Sequence, residues 1–266
     1  MGSSLTSSDD STLTIDPVND LEYIEATADV VISGRELRLK MSMPTGMIRP
    51  VELLPLFHSM ADSFVELALK DAVTEGTKVP CKKGCGICCR QLVPISEAEA
   101  RQLLDLVNHM AEPRRSEIRA RFNTGRSRLE ELGLMEKLLT HDRLNPEERI
   151  PFALDYFSLG IVCPFLEEES CSIYSDRPIP CREYLVVSPA ENCARPSPET
   201  VKCLKIPAEV SRAVRGFNPE QNPGRWVALI LALEWAEVHA DKSPPRPGTE
   251  LVHELLCRLV GKEIPG

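Results

Sequence analysis

Nine of the ten cysteines of this 266-residue chain lie between positions 81 and 203, and this clustering constrains the fold more than any other feature. A chain of this length buries enough apolar surface to fold without covalent cross-links. No positively charged start followed by an apolar stretch resembles a signal peptide, so we expect a cytoplasmic protein. In a reducing compartment, clustered cysteines indicate metal ligation or redox chemistry rather than a disulfide framework.

The first group of cysteines has the spacing C-x3-C-x2-C-C. Such short spacings let one loop wrap its thiolates around a metal, and Gly84 and Gly86 permit the backbone turns that this requires. Adjacent side chains on an extended or turning loop diverge, so we expect Cys88 and Cys89 not to bind one metal ion together. The doublet indicates either two metal centres or one ligand beside a bystander. The members of the group are Cys81, Cys85, Cys88 and Cys89.

The second group consists of Cys163, Cys171 and Cys181, in the segments C-P-F-L, C-S-I-Y and R-P-I-P-C-R. These steps are too long for one tight knuckle but short enough for three ligands to converge on one side of a folded loop. Three prolines stiffen that loop by fixing φ: Pro164, Pro178 and Pro180. The rest of the segment from 163 to 206 has no sustained apolar periodicity. We therefore expect it to be a loop that depends on a metal for its order.

Basic residues accompany both groups of cysteines. Arg90 follows Cys89, and Arg182 follows Cys181. Clustered thiolates carry a large negative charge, so we expect these two arginines to offset that charge and to donate hydrogen bonds to sulfur. Lys82 and Lys83 lie within the first group, and for these lysines a solvated loop is an equally good interpretation.

The two motifs together resemble the zinc- or iron-chelating cysteine-cluster proteins of the YkgJ type. The resemblance covers about residues 79–190, and the order and residue types of both halves agree. It implies a metal-chelating cytosolic bacterial protein that draws its ligands from the seven cysteines of the two groups. A flagellin lysine methylase carries a similar domain, so the resemblance also permits a role associated with methyl transfer.

The number of thiols exceeds what one structural zinc site uses, so the sequence favours an iron–sulfur cluster or zinc, and permits two metal centres. In a two-centre arrangement, Cys81, Cys85 and Cys88 close on one centre, and the second group takes Cys89 as its fourth ligand. Cys193 and Cys203 either complete a second site or are inert thiols, and Cys257 is expected to pack in a helix. Histidines are expected not to be ligands, because none has a short spacing to a cysteine: His58, His109, His141, His239 and His253.

Two classes of function fit these residues. The first is a non-catalytic protein that stores, delivers or senses a metal, or transfers electrons. The second is a metalloenzyme module, associated with methyl transfer or with another cluster-dependent oxidoreductase. The radical S-adenosylmethionine enzymes share the C-x3-C-x2-C spacing, but their loop follows the first strand of a βα series, whereas here it follows a predicted helix.

The remaining sequence predicts a mostly α protein with a small N-terminal β-hairpin and an irregular cysteine-rich metal-binding insert. We expect an acidic disordered lead at residues 1–20, a hairpin plus helix at 21–78, the metal-binding region at 79–206, and C-terminal helices at 207–266 that pack on the same core. The turn of the hairpin is Ser33-Gly34. The predicted helices are Val51–Val73, Ser96 to about Met110, Ser116–Leu139 with an interruption near Gly125, Pro151–Leu159, Pro223–Ala240, and Thr249–Val260 with a threonine cap.

Charge and hydropathy restrict the partners. The net charge is −9, and residues 1–30 carry seven acidic side chains and no Lys or Arg. We therefore expect no dedicated nucleic-acid binding. The longest apolar run, Trp226–Leu233, is far shorter than the roughly 20 residues of a membrane span, so we expect no membrane partner. The arginine-rich stretch Arg114–Arg128 is a candidate contact for a protein partner, although its mixture with glutamates is more typical of a solvated helix face.

Overall fold

The structure, a computed structural model, describes residues 12–15, 22–140, 145–217 and 226–261. Helices predominate, with small β elements between them. The strands are β1 Thr12–Ile15, β2 Tyr23–Ile32, β3 Arg35–Pro44, β4 Met47–Ile48, β5 Pro94–Ile95, β6 Leu166–Glu167, β7 Ser170–Cys171, β8 Val227–Ala228 and β9 Arg246–Pro247. The helices are α1 Leu54–Thr74, α2 Glu97–Asn108, α3 Arg114–Glu131, α4 Met135–Leu139, α5 Pro146–Ser158, α6 Ile179–Glu183, α7 Val210–Val214, α8 Ala232–Val238 and α9 Gly248–Val260.

The predicted hairpin is confirmed and is longer than its alternating core. Strands β2 and β3 pair in antiparallel fashion along ten residues each. Ser33 and Gly34 form the turn with φ of 52° and 81°, the left-handed conformations that match the twist of a hairpin. Strand β1 adds to β3 in parallel. Residues 12–15 are therefore a strand within the lead that the sequence predicts to be disordered, and the rest of that lead lies outside the described residues.

The first core lies between this sheet and helix α1. The inward face of the hairpin contributes residues such as Ile32, Leu39 and Met41, and α1 contributes Phe57 and Phe64. Helices α7 and α9 complete this core. Helix α1 confirms the periodicity seen over Val51–Val73, and a short 3-10 helix, Pro50–Leu53, precedes it.

A second core forms between α2, α3 and α8, and a third lies between α3, α5 and the segment before α8. Helix α3 continues without interruption through Gly125 and ends before Gly133. At Gly125, α3 crosses close to Ile230. A β-carbon at this position would lie only 2.4 Å from Ile230 Cδ1, so a glycine is needed here for packing. The predicted interruption near Gly125 is therefore wrong, and the glycine makes room for helix packing instead.

The C-terminal segment divides between these cores rather than packing on one. Helices α7 and α9 belong to the first core, whereas α8 belongs to the second. The predicted helix Pro223–Ala240 is shorter, since Val227–Ala228 forms strand β8 against β5 and a 3-10 helix follows at Leu229–Leu231. The apolar residues of this run are buried on several sides, so they do not alternate with polar residues at the period of an amphipathic helix. Helix α9 begins after Pro247, so Thr249 is not its cap.

All six arginines of the Arg114–Arg128 stretch pair with carboxylates of the same chain. Arg114 and Arg121 both contact Glu167 in β6, so they attach α3 to the hairpin that carries Cys171. Each of the pairs is partly exposed, and pairs of this kind stabilise a fold by only about 0–1 kcal/mol. None of the described helices combines the length and the apolarity needed to cross a bilayer.

His58 gives the first core a pH dependence. It lies on α1, it is 8% exposed, and its Nε2 has no hydrogen-bond partner in the described structure. Burial, together with the positive charge of Arg182, lowers the pKa of His58 to about 4, and Asp176 opposes this shift. The unfolded chain therefore binds this proton at a higher pH than the folded chain, and the fold loses stability as the pH falls below about 6.5.

We predict that this group lowers the free energy of unfolding by about 3 kcal/mol between pH 7 and pH 4. Denaturant unfolding at a series of pH values measures the loss, with all samples in the same metal state. His58→Leu should lack this component, whereas His109→Gln, which removes an exposed histidine, should keep it. Identical pH profiles for wild type and His58→Leu would contradict the prediction.

Candidate metal centre

The two cysteine groups line one cavity of about 200 Å³. The structure thus brings together seven of the nine predicted ligands, although the two groups are far apart in sequence. Apolar side chains such as Val93, Phe165, Ile173 and Leu229 form the rest of the wall, together with Arg177 and Arg182. The cavity thiols are Cys81, Cys85, Cys88, Cys89, Cys163, Cys171 and Cys181.

The first motif turns sharply and then forms a 3-10 helix, Ile87–Arg90, which carries Cys88 and Cys89. Cys89 N–H donates to the Gly86 carbonyl at 3.0 Å, which closes this turn. A hydrogen bond between the thiols of Cys88 and Cys89 raises the pKa of Cys88, and burial raises it further. The two adjacent thiols both line the cavity and lie close enough to interact, on a 3-10 helix rather than on an extended loop. That they do not bind one metal ion together stays a prediction.

The two groups are joined by backbone contacts as well as by the cavity. Cys163 N–H donates to the Cys89 carbonyl at 2.7 Å. Gly84 has φ of +89°, as the sequence predicts for a turn glycine, but Gly86 has an ordinary φ of −94°. Gly86 is needed for space instead, since a β-carbon there would lie 2.6 Å from Leu166 Cδ1 and 2.7 Å from Glu169 Oε2.

The hairpin of β6 and β7 holds the second group against the first. Its turn residues Glu168 and Glu169 have φ of 47° and 56°, a conformation that costs a non-glycine residue of order 1 kcal/mol or more. Glu169 in turn accepts two hydrogen bonds from Arg90, at 2.7 and 3.1 Å. The strained turn therefore places a carboxylate on the arginine that follows the first motif.

The loop of the second group is anchored by apolar side chains that periodicity did not reveal. Phe165 and Ile173 are buried in the second core, and Phe165 packs edge-on against Phe122 with ring centroids 5.4 Å apart. Ile179 is buried in the first core. The segment is thus held by both cores at single, irregularly spaced positions, and the expectation that a metal alone orders it is too strong for residues 163–181.

Cys88 and Cys89 are the residues of the first group with evident links to the second group. Burial raises the pKa values of Cys163, Cys171 and Cys181, and the neighbouring Cys88 contributes to the rise at all three. Cys89 is joined to the second group through its backbone, because its carbonyl accepts the hydrogen bond from Cys163 N–H. The pairing of Cys89 with the second group stays a prediction, and a pairing with Cys88 is the alternative.

Cys193 and Cys203 do not line the cavity. Cys193 lies in the 3-10 helix Ala190–Ala194, which packs beside Ile87–Arg90. Cys203 bridges Val186 in an antiparallel pair, with hydrogen bonds on either side of the pair. In such a pair the Val186 N–H points away from Cys203, and it donates to Cys81 Sγ at 3.3 Å. Burial raises the pKa of Cys203 and the charge of Cys81 adds to the rise, so the two thiols are nonetheless close enough to interact.

The arginines that follow the cysteines are occupied elsewhere. Arg90 pairs with Glu169 and donates to the Gly86 carbonyl, while Arg182 pairs with Asp62 at 2.6 Å and donates to the carbonyls of Ser175 and Arg177. Among the described residues, their hydrogen bonds go to oxygen rather than to sulfur. The charge of Arg182 nonetheless opposes the rise that burial causes in the pKa of Cys171, in line with the expected offset of thiolate charge. Sequence adjacency gave no indication of Arg177, whose side chain lines the cavity itself.

The donor chemistry of the cavity fits zinc or iron. Within the described ranges, no three His, Cys, Asp or Glu side chains already stand around one point as the ligands of an ion. The titratable acids on the wall are nonetheless the seven thiols and the phenols of Tyr174 and Tyr184, with no carboxylate or imidazole among the described lining residues. Thiolates are the ligands of zinc sites and iron–sulfur clusters. Arg177, whose Nε is buried without a hydrogen-bond partner, lines the same cavity as these potential thiolates.

Residues 80–203 match the CxxCxxCC family, which is described as a "putative zinc- or iron-chelating domain". The cysteine-rich region is thus similar to the CxxCxxCC domain, along a little less than half of the chain. This match confirms the resemblance seen in the two motifs, and it assigns metal chelation to the region without distinguishing zinc from iron. No curated protein and no solved structure matches the chain. All seven cavity thiols, and also Cys193 and Cys203, fall within the CxxCxxCC domain.

We predict that Gly86→Ala destabilises the CxxCxxCC domain by about 1–3 kcal/mol, because the added methyl group overlaps Leu166 and Glu169. Denaturant unfolding measures the loss. Gly46→Ala is the matched control, since a β-carbon at Gly46 would meet no atom within 4 Å. Equal stability of the two variants would show that the cysteine groups are not in close contact at Gly86.

Proposed function

We propose that this chain is a metal-chelating protein of the cytoplasm that holds an iron–sulfur cluster or zinc through its cavity thiols and serves a redox, metal-handling or sensing role. The observation that supports the proposal is the convergence of seven thiols, from two separate motifs, on one partly apolar cavity. Buried thiols with no carboxylate or imidazole beside them favour soft metals over magnesium or calcium.

Four thiols form the proposed principal centre, namely Cys88 with the second group. Cys163 and Cys181 are partly buried and pack against the second core, and Cys88 lies on the 3-10 helix that Cys163 N–H contacts at the Cys89 carbonyl. Each ligand thus comes from an element whose position other contacts determine, which lowers the entropy cost of assembling the site. When bound, the metal or cluster would supply structural cross-linking or electron transfer.

Cys81, Cys85 and Cys89 remain for a second centre in the same cavity. The Val186 N–H that donates to Cys81 Sγ is the kind of hydrogen bond that stabilises a metal-bound thiolate. Cys193, beside the first motif, is the candidate to complete this second set. Cys203 is a further candidate, because the charge of Cys81 acts on it and because it interacts with Cys193.

We predict that Cys88→Ser and Cys181→Ser each remove most of the metal that the wild-type protein carries after purification without oxygen. Elemental analysis gives the metal content per chain, and the visible spectrum distinguishes an iron–sulfur cluster from zinc. Cys257→Ser is the matched control, because this cysteine lies on α9 outside the cavity, and it should keep the wild-type content.

The same measurement tests the second centre. Under a two-centre arrangement, Cys85→Ser loses part of the metal and keeps the remainder, whereas Cys88→Ser loses the principal centre. A wild-type content of one mononuclear ion would exclude two centres. Full metal content in both Cys88→Ser and Cys181→Ser would overturn the proposed function.

A further inference from the structure

Three cations line the metal cavity, and they differ in how their charge is used. Arg182 forms an ion pair with Asp62 and donates hydrogen bonds to two carbonyl groups. Lys82 is exposed to solvent. Arg177 is half-buried and forms no ion pair with any described residue, and its Nε is buried without a hydrogen-bond partner.

The backbone and the ring of a neighbour hold Arg177 in place. Its carbonyl accepts a hydrogen bond of 2.9 Å from Arg182, and Arg182 is fastened to Asp62 on α1. Its φ and ψ of −60° and 142° are those that the following Pro178 imposes. The guanidinium stacks over Tyr174, with its carbon 4.1 Å from the ring centroid. A guanidinium stacked on a ring keeps its N–H edge available for an anion.

The thiols that feel Arg177 belong to both cysteine groups. At Cys88, the hydrogen bond with Cys89 and burial raise the pKa, and the charge of Arg177 partly reverses the rise. At Cys171, burial raises the pKa, and the Ile173 N–H and the charges of Arg177 and then of Arg182 act in the opposite direction. Arg177 is thus within electrostatic reach of one thiol from each motif.

A centre with four thiolates around a divalent ion carries a formal charge of about −2, and a cavity with apolar walls solvates such a charge poorly. An unpaired guanidinium is equally costly to bury. The negative charge of the thiolate centre and the positive charge of the guanidinium therefore reduce each other's desolvation cost when both are present.

We propose that Arg177 is the charge-compensating residue of the metal centre, and that it donates hydrogen bonds to the thiolates once a metal is bound. This inference rests on the proposed function, because it requires a thiolate centre in the cavity. Arg177 is a positioning residue in this scheme and not a ligand. Its role explains why a buried Nε is left without a partner when the thiols carry no metal.

The test uses the full-length, reduced and metal-stripped protein, with Zn²⁺ and Co²⁺ as probes in competition with a chelator of known affinity. Arg177→Gln should weaken Zn²⁺ binding about 10- to 100-fold, the usual effect of losing an outer hydrogen-bond partner of a metal ligand. Arg177→Lys should restore part of the affinity, since it returns the charge without the planar donor set. At saturating Co²⁺, all variants should show the same sulfur-to-cobalt absorption bands, because the ligands themselves are unchanged.

Lys82→Gln is the matched control, since it removes one exposed positive charge from the same cavity. It should change the affinity by at most about threefold, because water and salt screen exposed charges. Equal affinities for wild type and Arg177→Gln, or equal losses in Arg177→Gln and Lys82→Gln, would overturn the inference. If Arg177→Gln does not fold, Arg177→Lys with wild-type affinity would overturn the hydrogen-bonding role. A wild-type protein that binds neither ion would instead overturn the proposed function.

Discussion

A single buried carboxylate connects the helical cores to the metal cavity. Glu99, on α2, is 1% exposed and accepts hydrogen bonds of 2.7 Å from the Ser96 backbone, the Ser96 hydroxyl and the Ile179 N–H. Burial raises the pKa of Glu99, and the three donors oppose that rise. The bond to Ile179 extends a local capping box across the fold to α6. Because α6 carries Cys181, the start of α2 determines where the last thiol of the second group lies.

The cavity is consequently a product of two cores. Ile179 is buried in the first core, whereas Cys181, two residues later, packs against the second. Arg182 then returns to the first core through its ion pair with Asp62. A buried guanidinium with a carboxylate partner and two carbonyl acceptors is well satisfied, so this short helix has little freedom to shift. A metal bound between the cores would add a further link where packing alone leaves a space.

Charge around the thiols follows spatial rather than sequential proximity. The arginines next to cysteines in the chain form ion pairs with carboxylates: Arg90 pairs with Glu169 in the strained turn, and Arg182 pairs with Asp62. Arg177, four residues before Cys181, also lines the cavity and forms no ion pair with any described residue. The strained turn at Glu169 and the partly buried ion pair of Arg182 with Asp62 both restrict the backbone next to the cysteines.

The sequence by itself determined the cysteine-rich domain, the hairpin, α1 and the capped start of α2, because each depends on local spacing, alternation or capping. The metal chemistry also followed from local residue types, since thiols at short spacing have few other uses in a chain of this size. Tertiary structure decided what local patterns do not encode. It turned part of an apolar run into strand β8, kept α3 helical through Gly125, and brought seven thiols but not Cys193 or Cys203 to the wall of one cavity. These outcomes depend on which surfaces meet, and contacts between distant segments are set by packing and long-range hydrogen bonds rather than by the neighbours of a residue in the chain.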